Sequence, residues 1–380
     1  MDLKELRKEI DSIDTQITNL FLRRMDVSAR IGQYKKEHGL AVYDPARERQ
    51  KLQEIAQSVP PEMRTYTDSL YSLLFELSRA HQRSLSTQES ALEASIRQSL
   101  QNTPALFPNR PIVACQGVEG AFSQQACDKL FERPGILYFN SFDGVFAAVD
   151  KGLCQYGVLP LENSTAGSVN RIYDLMMKYH FHIVRSTRVK VDHCLLANPG
   201  AELSSIREIV SHEQALAQCA DFLRTLGDVK ITPCENTAKA AQMVQQSGRK
   251  DLAALSSQTC ADLYGLVCLE RSVQDRASNF TRFICISKNL EIYPGADKTS
   301  IMAVLPHRPG ALYKVLSRFY ALDINLIKLE SRPLPNSDFE FMFYFDLEIS
   351  VYSPRFLEVF RDLDGLCSQL KYLGSYSEVL

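Results

Sequence analysis

Three prolines fall within ten residues, Asn102-Thr103-Pro104-Ala105-Leu106-Phe107-Pro108-Asn109-Arg110-Pro111, and they divide this 380-residue chain into parts of different periodicity. Proline removes a backbone donor and fixes φ, so neither a helix nor a central strand runs through such a stretch. Before it the apolar residues recur at helical spacing. Leu3, Leu6, Ile10, Ile13, Ile17, Leu20, Phe21, Val27 and Ile31 share a stripe, with no glycine or proline before Gly32. One long helix over residues 2 to about 38 is expected. Asp44-Pro45 opens a second helix, Pro60-Pro61 ends it, and a third is predicted from about Glu62 to Leu100. A long helix with so few partners exposes its apolar stripe, which predicts a helical dimer.

After the linker, strand and helix patterns alternate to about Lys288, an α/β reading. The strand-like runs are Ile112 to Cys115, Gln155 to Leu161, a long one from His182 to Ala197, Val229 to Pro233, and Phe283 to Ser287. A second linker, Tyr293-Pro294-Gly295-Ala296-Asp297, precedes a tail that reads β-α-β-β-α-β, a ferredoxin-like module. Its strands are expected at Ser300 to Leu305, Ile324 to Ser331, Phe339 to Ile349 and near Leu370 to Ser375, with helices at Gly310 to Tyr320 and at Pro354 to Leu363 behind the cap Ser353. The expected domains are therefore 1–100 helical, 110–290 α/β and 298–380 ferredoxin-like.

Acidic and basic residues nearly cancel at a net charge of −2, which argues against nonspecific attraction to nucleic acid or anionic lipid. No apolar run approaches the ~20 residues needed to span a bilayer, and Met1-Asp2-Leu3-Lys4-Glu5 begins a charged helix rather than a leader, so a cytoplasmic protein is expected. Ten cysteines without any Cys-x-x-Cys fit reduced core thiols. His180, His182 and His193 lack a third ligand motif, so no metal is expected. The glycines of Gln116-Gly117-Val118-Glu119-Gly120 lack the spacing of a nucleotide-binding loop, and no cofactor is expected.

Two places carry chemistry. The strand Tyr156 to Leu161 ends in Glu162-Asn163-Ser164-Thr165-Ala166-Gly167-Ser168, ahead of a helical pattern from Val169 to Tyr179. Strand ends and helix N–H groups converge at such a turn, so it suits a small anion, although an ordinary capped loop reads the same way. On the helices, Arg7, Arg24, Lys35, Asp44, Arg47, Glu48, Ser78 and Gln82 can line a pocket rather than a solvated face. Arg24 and Lys35 lie about 20° apart around a helix turning ~100° per residue, and Ser78 and Gln82 are at i, i+4. Arg7 lies ~25 Å from Arg24 along the axis at ~1.5 Å per residue, so it must reach a shared pocket from a partner chain.

The helical segment resembles the all-helical chorismate mutase family through Leu6-Arg7-x-x-Ile10-Asp11, Arg23-Arg24, Lys35, Asp44-Pro45-x-Arg47-Glu48-Arg49 and Ser78-x-x-x-Gln82. The resemblance implies that Arg7, Arg24 and Arg47 hold substrate carboxylates, that Lys35 and Gln82 face the ether oxygen, that Glu48 takes the substrate hydroxyl, and that Asp44 and Ser78 complete the site. The α/β segment resembles prephenate dehydratase, a two-lobed α/β fold like that of periplasmic binding proteins, through Leu159-Pro160-Leu161-Glu162-Asn163-Ser164-x-x-Gly167-x-Val169, Ser211-His212-Glu213, Asn236-Thr237-Ala238, Gln274-Asp275 and Asn279-Phe280-Thr281-Arg282-Phe283. Gln116, Ala121 and Glu213 depart from the family pattern.

That resemblance implies Thr281 as the acid toward the leaving hydroxyl, with Asn163, Ser164, Ser211, Gln218 and Thr237 orienting the substrate. Arg282 either binds a carboxylate or braces its loop, and Glu162 either assists acid chemistry or serves the helix dipole. The tail resembles the ACT regulatory domain through Pro309-Gly310-Ala311-Leu312 and Leu329-Glu330-Ser331-Arg332-Pro333, with Tyr313 replacing the usual valine. There the resemblance implies phenylalanine binding by Gly310, Ala311, Leu312, Asn325, Glu330, Ser331 and Arg332. The order of the three segments is similar to the bifunctional chorismate mutase/prephenate dehydratase family, with chorismate and prephenate as substrates, phenylalanine as regulator and a homodimer or larger assembly. A non-catalytic amino-acid sensor and a dehydratase preferring arogenate are the rivals.

Overall fold

The computed structural model describes residues 2–84, 90–334 and 340–380. They group into two compact units, Met1–Ala91 with Pro354–Leu366 and Leu92–Ser353 with Cys367–Leu380.

The first unit is helical. Helix α1 (Leu3–Glu37) starts at a capping box of Asp2 and Glu5. In α2 (Pro45–Ser58) the Asp44 carboxylate accepts from Arg47 N at 3.0 Å, and Pro45 occupies the first turn. One turn of tighter helix at Pro61–Met63 leads into α3 (Arg64–Ser84). The third predicted helix thus ends at Ser84, a separate α4 (Ala91–Asn102) follows, and 85–89 lie outside the described residues. A helix from far along the chain, Phe356–Asp364, packs on α3. Gly32 lets α3 approach α1 closely: a Cβ there would stand 2.9 Å from Gln82 Cγ. Only Ser28 of α1 is buried, while Leu3, Ile10, Ile17 and Leu20 are more than half exposed.

The second unit takes in α4 from Leu92 and continues as an α/β lobe: β1 (Ile112–Gln116), α5 (Phe122–Leu130), β2 (Gly135–Phe139), α6 (Phe142–Asp150), β3 (Tyr156–Asn163), a short β4 (Gly167–Ser168), α7 (Asn170–Lys178) and β5 (His182–Lys190). The chain then crosses into a second lobe with β6 (Cys194–Ala197), β7 (Glu208–Ser211), α8 (Glu213–Gln218), α9 (Ala220–Thr225), β8 (Lys230–Pro233), α10 (Thr237–Ser247), β9 (Leu252–Ser256), α11 (Gln258–Tyr264) and β10 (Val267–Glu270). It returns as β11 (Phe280–Ser287), antiparallel between β3 and β5. The long strand predicted from His182 to Ala197 is therefore two strands, because residues 191–193 carry the chain from one sheet to the other.

The remaining elements are β12 (Lys298–Val304), α12 (Ala311–Ala321), β13 (Asn325–Pro333), β14 (Phe341–Glu348), α13 (Phe356–Asp364) and β15 (Gln369–Val379). Their strand order β13-β14-β12-β15 is the one the β-α-β-β-α-β reading requires. Helix α13 starts after Arg355 rather than behind Ser353, and no side chain caps it. The end of β15, Ser377–Val379, runs parallel to Arg185–Thr187 of β5. That pairing merges both sheets into one of ten strands, β13-β14-β12-β15-β5-β11-β3-β1-β2 with β4 beside β3. The second lobe has its own sheet, β10-β6-β9-β7-β8. One apolar core runs under the joined sheet, from Phe146 and Ile284 to Met302 and Tyr344, with Tyr173 edge-on to Tyr344 at 5.0 Å. All ten cysteines are free. Among the described residues no helix is long and apolar enough to cross a membrane.

Candidate active sites

The helices α1, α2 and α3 enclose a cavity of about 340 Å³. Arg24 and Lys35 enter from α1, Asp44, Arg47 and Glu48 from the start of α2, and Ser78 and Gln82 from α3. Arg7 alone of the eight residues singled out on the helices does not line it. Val27, Ile31, Tyr71 and Phe75 supply an apolar wall. Arg24 Nη1 donates to Leu74 O at 3.0 Å and to the Ser78 hydroxyl, and burial lowers its pKa against an opposing effect of Tyr71. Lys35 Nζ donates to Val42 O at 2.7 Å, and Gln82 Nε2 to Ser28 Oγ at 2.9 Å. The lining holds five cations, Lys51 and Arg79 included, against the carboxylates Asp44 and Glu48, which suits a small dianion. Arg79 escaped the sequence reading; its place beside Ser78 and three residues before Gln82 was the available signal.

A second cavity, of about 420 Å³, lies between the lobes of the α/β unit. Asn163, Gln218, Thr237 and Thr281 line it. Strand pairing sets Thr281 of β11 directly opposite Asn163 of β3. Backbone N–H groups of Thr165 and Ala166 donate to Asn163 Oδ1 at 3.0 and 2.9 Å, which fixes the carboxamide orientation. Its Nδ2 therefore donates to Thr281 Oγ1 at 2.9 Å and to Asn279 Oδ1 at 2.7 Å. With that lone pair engaged, the Thr281 hydroxyl keeps its own proton to donate. Gln218 extends the chain, accepting from Asn279 Nδ2 at 3.0 Å and bonding His193 Nε2 at 3.2 Å, and burial lowers the His193 pKa. No lysine or arginine stands among the lining residues. The starts of α5 at Phe122 and of α10 at Thr237 border the cavity instead, α10 capped by Asn236, and their dipoles favour an anion, with Glu235 opposing it.

Ser164 and Ser211 lie outside this cavity. Ser164 laces β3 to β11, its Oγ accepting from Phe280 N at 2.9 Å, whereas Ser211 is fully buried and donates to Leu255 O at 2.7 Å. Asn279 and His193, which had no substrate role in the sequence reading, belong to the bonded chain, and His193 also lines the cavity.

Glu162 and Arg282 also pair across β3 and β11, one residue from Asn163 and Thr281. Successive strand residues face opposite ways, so both point away from the cavity. The Arg282 guanidinium is buried against Asp346 of β14, with Tyr376 OH at 2.8 Å and Glu162 at 3.3 Å. The Arg282 side chain thus bonds the C-terminal strands and does not line the cavity. Lys328 Nζ of β13 reaches Glu162 at 2.6 Å. Burial would raise the Glu162 pKa, but Lys328 and Arg282 outweigh it and hold the carboxyl below its usual range.

A third cavity of about 340 Å³ sits where β12 turns into α12 and is lined by Gly310, Ala311, Leu312 and Tyr313. Gly310 has φ +78°, a conformation that favours glycine. Asn325, Glu330, Ser331 and Arg332 do not line it. Asn325 bonds Glu348 at 2.8 Å, Ser331 is exposed, Glu330 accepts from Ser168, and Arg332 forks onto Asp174 of α7 at 3.1 and 3.2 Å. The alternation of β13 turns Lys328, Glu330 and Arg332 toward the α/β lobe.

The sequence pattern of chorismate mutase type II matches residues 6–83, and that of prephenate dehydratase matches residues 113–291. A bifunctional chorismate mutase/prephenate dehydratase of Aquifex aeolicus is 32% identical over all of this chain and 99% of its own length. An arogenate dehydratase/prephenate dehydratase of Arabidopsis thaliana is 38% identical over 70% of this chain and 73% of that protein. Among solved structures, the prephenate dehydratase of Arthrobacter aurescens in complex with L-Phe superposes with a TM-score of 0.64 at 27% identity, covering 70% of this chain and 89% of that one.

Proposed function

The chain belongs to the bifunctional chorismate mutase/prephenate dehydratase family, and we infer from that membership how its cavities divide the work. The protein rearranges chorismate to prephenate and converts prephenate to phenylpyruvate, two steps toward phenylalanine. The observation that carries the assignment of the first step to the helical cavity is the convergence there of Arg24, Lys35, Asp44, Arg47, Glu48, Ser78 and Gln82. Arginine forks grip the two carboxylates in the compact conformer, and Lys35 with Gln82 meets the charge that develops on the breaking ether. Glu48 takes the substrate hydroxyl. Arg7 completes the site from a second copy, whose α1 covers the exposed apolar stripe.

In the dehydratase cavity, the ring carboxylate leaves as carbon dioxide. Its bonding electrons close the aromatic ring and expel the hydroxyl, which departs as water with a proton passed through Thr281. Asn163 aims that hydroxyl, and the helix starts and Thr237 hold the anionic side chain. Phenylalanine binds at the Gly310–Leu312 turn of an ACT domain and restrains the dehydratase, a reading supported by the contacts of Lys328, Glu330 and Arg332 with Glu162, Ser168 and Asp174. The arogenate dehydratases among the relatives favour a second reading, in which the aminated substrate is preferred.

Purified protein given chorismate, prephenate or arogenate, with and without phenylalanine, tests all of this by chromatography. Phenylpyruvate from the first two substrates, suppressed by phenylalanine, is expected. Phenylalanine formed faster from arogenate than phenylpyruvate from prephenate would favour the second reading. No turnover of any substrate would sink the enzymatic assignment and leave a sensor.

A further inference from the structure

We propose that Arg79 is a positioning residue of the mutase site, acting through Glu48 rather than on the substrate directly; the proposal rests on the assignment of Glu48 to the substrate hydroxyl. Arg79 Nη1 binds Glu48 Oε1, across the cavity from α3 to the first turn of α2. Both side chains are largely withdrawn from solvent, at 15% and 24% exposure. The guanidinium lies over the Tyr43 ring, 5.1 Å from its centroid, so the residue is held from its far side as well.

A dianionic substrate explains why such a clamp is useful. A carboxylate facing two substrate carboxylates repels them. Arg79 cancels the Glu48 charge locally. By engaging Oε1 it also leaves Oε2 as the acceptor and fixes the side chain's rotation. Arg24, Lys35 and Arg47 remain for the substrate, and each is bonded elsewhere, to Leu74 and Ser78, to Val42 and to Gln50. Among these cavity cations, Arg79 is the one whose side chain bonds Glu48.

The test is a double-mutant cycle on the full chain, with dehydratase turnover of prephenate and thermal unfolding as controls for folding. Arg79→Leu is expected to lower mutase kcat/KM by roughly 10- to 100-fold, chiefly in kcat, as for loss of a charged hydrogen bond. Arg79→Lys should restore part of that loss, since the charge returns without the fork. Glu48→Ala should itself be costly, and adding Arg79→Leu to it should cost less than about threefold more, because the clamp has nothing left to position. An Arg79→Leu loss of equal size in both backgrounds would overturn the proposal and make Arg79 a substrate ligand. An Arg79→Leu variant with unchanged mutase activity would overturn it too. If Glu48→Ala alone were silent, the underlying assignment of Glu48 would fall, and the positioning role with it.

Discussion

A single histidine shows how burial turns into pH dependence. Burial lowers the His182 pKa to about 4, with Lys371 and His180 nearby adding to the effect. The unfolded chain binds its proton near the ordinary pKa of ~6.5, so the native state binds fewer protons between the two values. Stability is therefore fully present above pH ~6.5 and is lost as pH falls toward 4, by at most about 3 kcal/mol. His182→Gln is expected to flatten the urea midpoint between pH 6.5 and 5 relative to the parent; parallel curves for the two proteins would remove His182 from the account. Residue types were the most legible layer of the sequence. The charged set on the helices could be picked out because a helix repeats every ~3.6 residues, and the structure gathers seven of the eight. Ser211 could not be placed the same way, because whether a strand-end hydroxyl faces a cavity or a neighbouring carbonyl depends on the sheet beside it.

The paired strands β3 and β11 do two jobs because alternate residues face opposite ways. Asn163 and Thr281 meet in the cavity, while Glu162 and Arg282 meet the C-terminal sheet. This division was latent in the sequence, since neighbours in a strand cannot share a face, yet a motif such as Thr281-Arg282 invites one role for both. What the sequence lacked was the partner: Asp346 is 64 residues away, and nothing local announces it. Removing one partner of a buried ion pair leaves the other charge stranded. Arg282→Met should therefore destabilise the protein by about 3–5 kcal/mol, and joining Asp346→Leu to it should recover part of that loss. Denaturant titration of the two singles and the double checks it, and strictly additive losses would mean that the pair does not interact.

For the molecule as a whole, the stripe on α1 poses the sharpest question. Leu3, Ile10, Ile17 and Leu20 stand exposed on a 35-residue helix, and Arg7, on the same helix, is missing from the cavity its type would suit. The second copy proposed above would answer both. Ile17→Lys is expected to lower the mass measured by light scattering and to cut mutase activity at least 10-fold, while a single chain that kept its fold would tolerate the change at an exposed position. An unchanged mass with full mutase activity would sink the shared site. The joining of the two sheets was not legible in the sequence, because each half reads as complete and the link is made by three residues of β15 against β5. That link also orders events during synthesis. Thr187 and its partner Val379 are 192 residues apart, so β5 leaves the ribosome with one edge bare long before its neighbour exists. Chains interrupted before residue 369 would carry that bare edge permanently, and they, rather than the finished protein, are the copies most prone to clump in the cell.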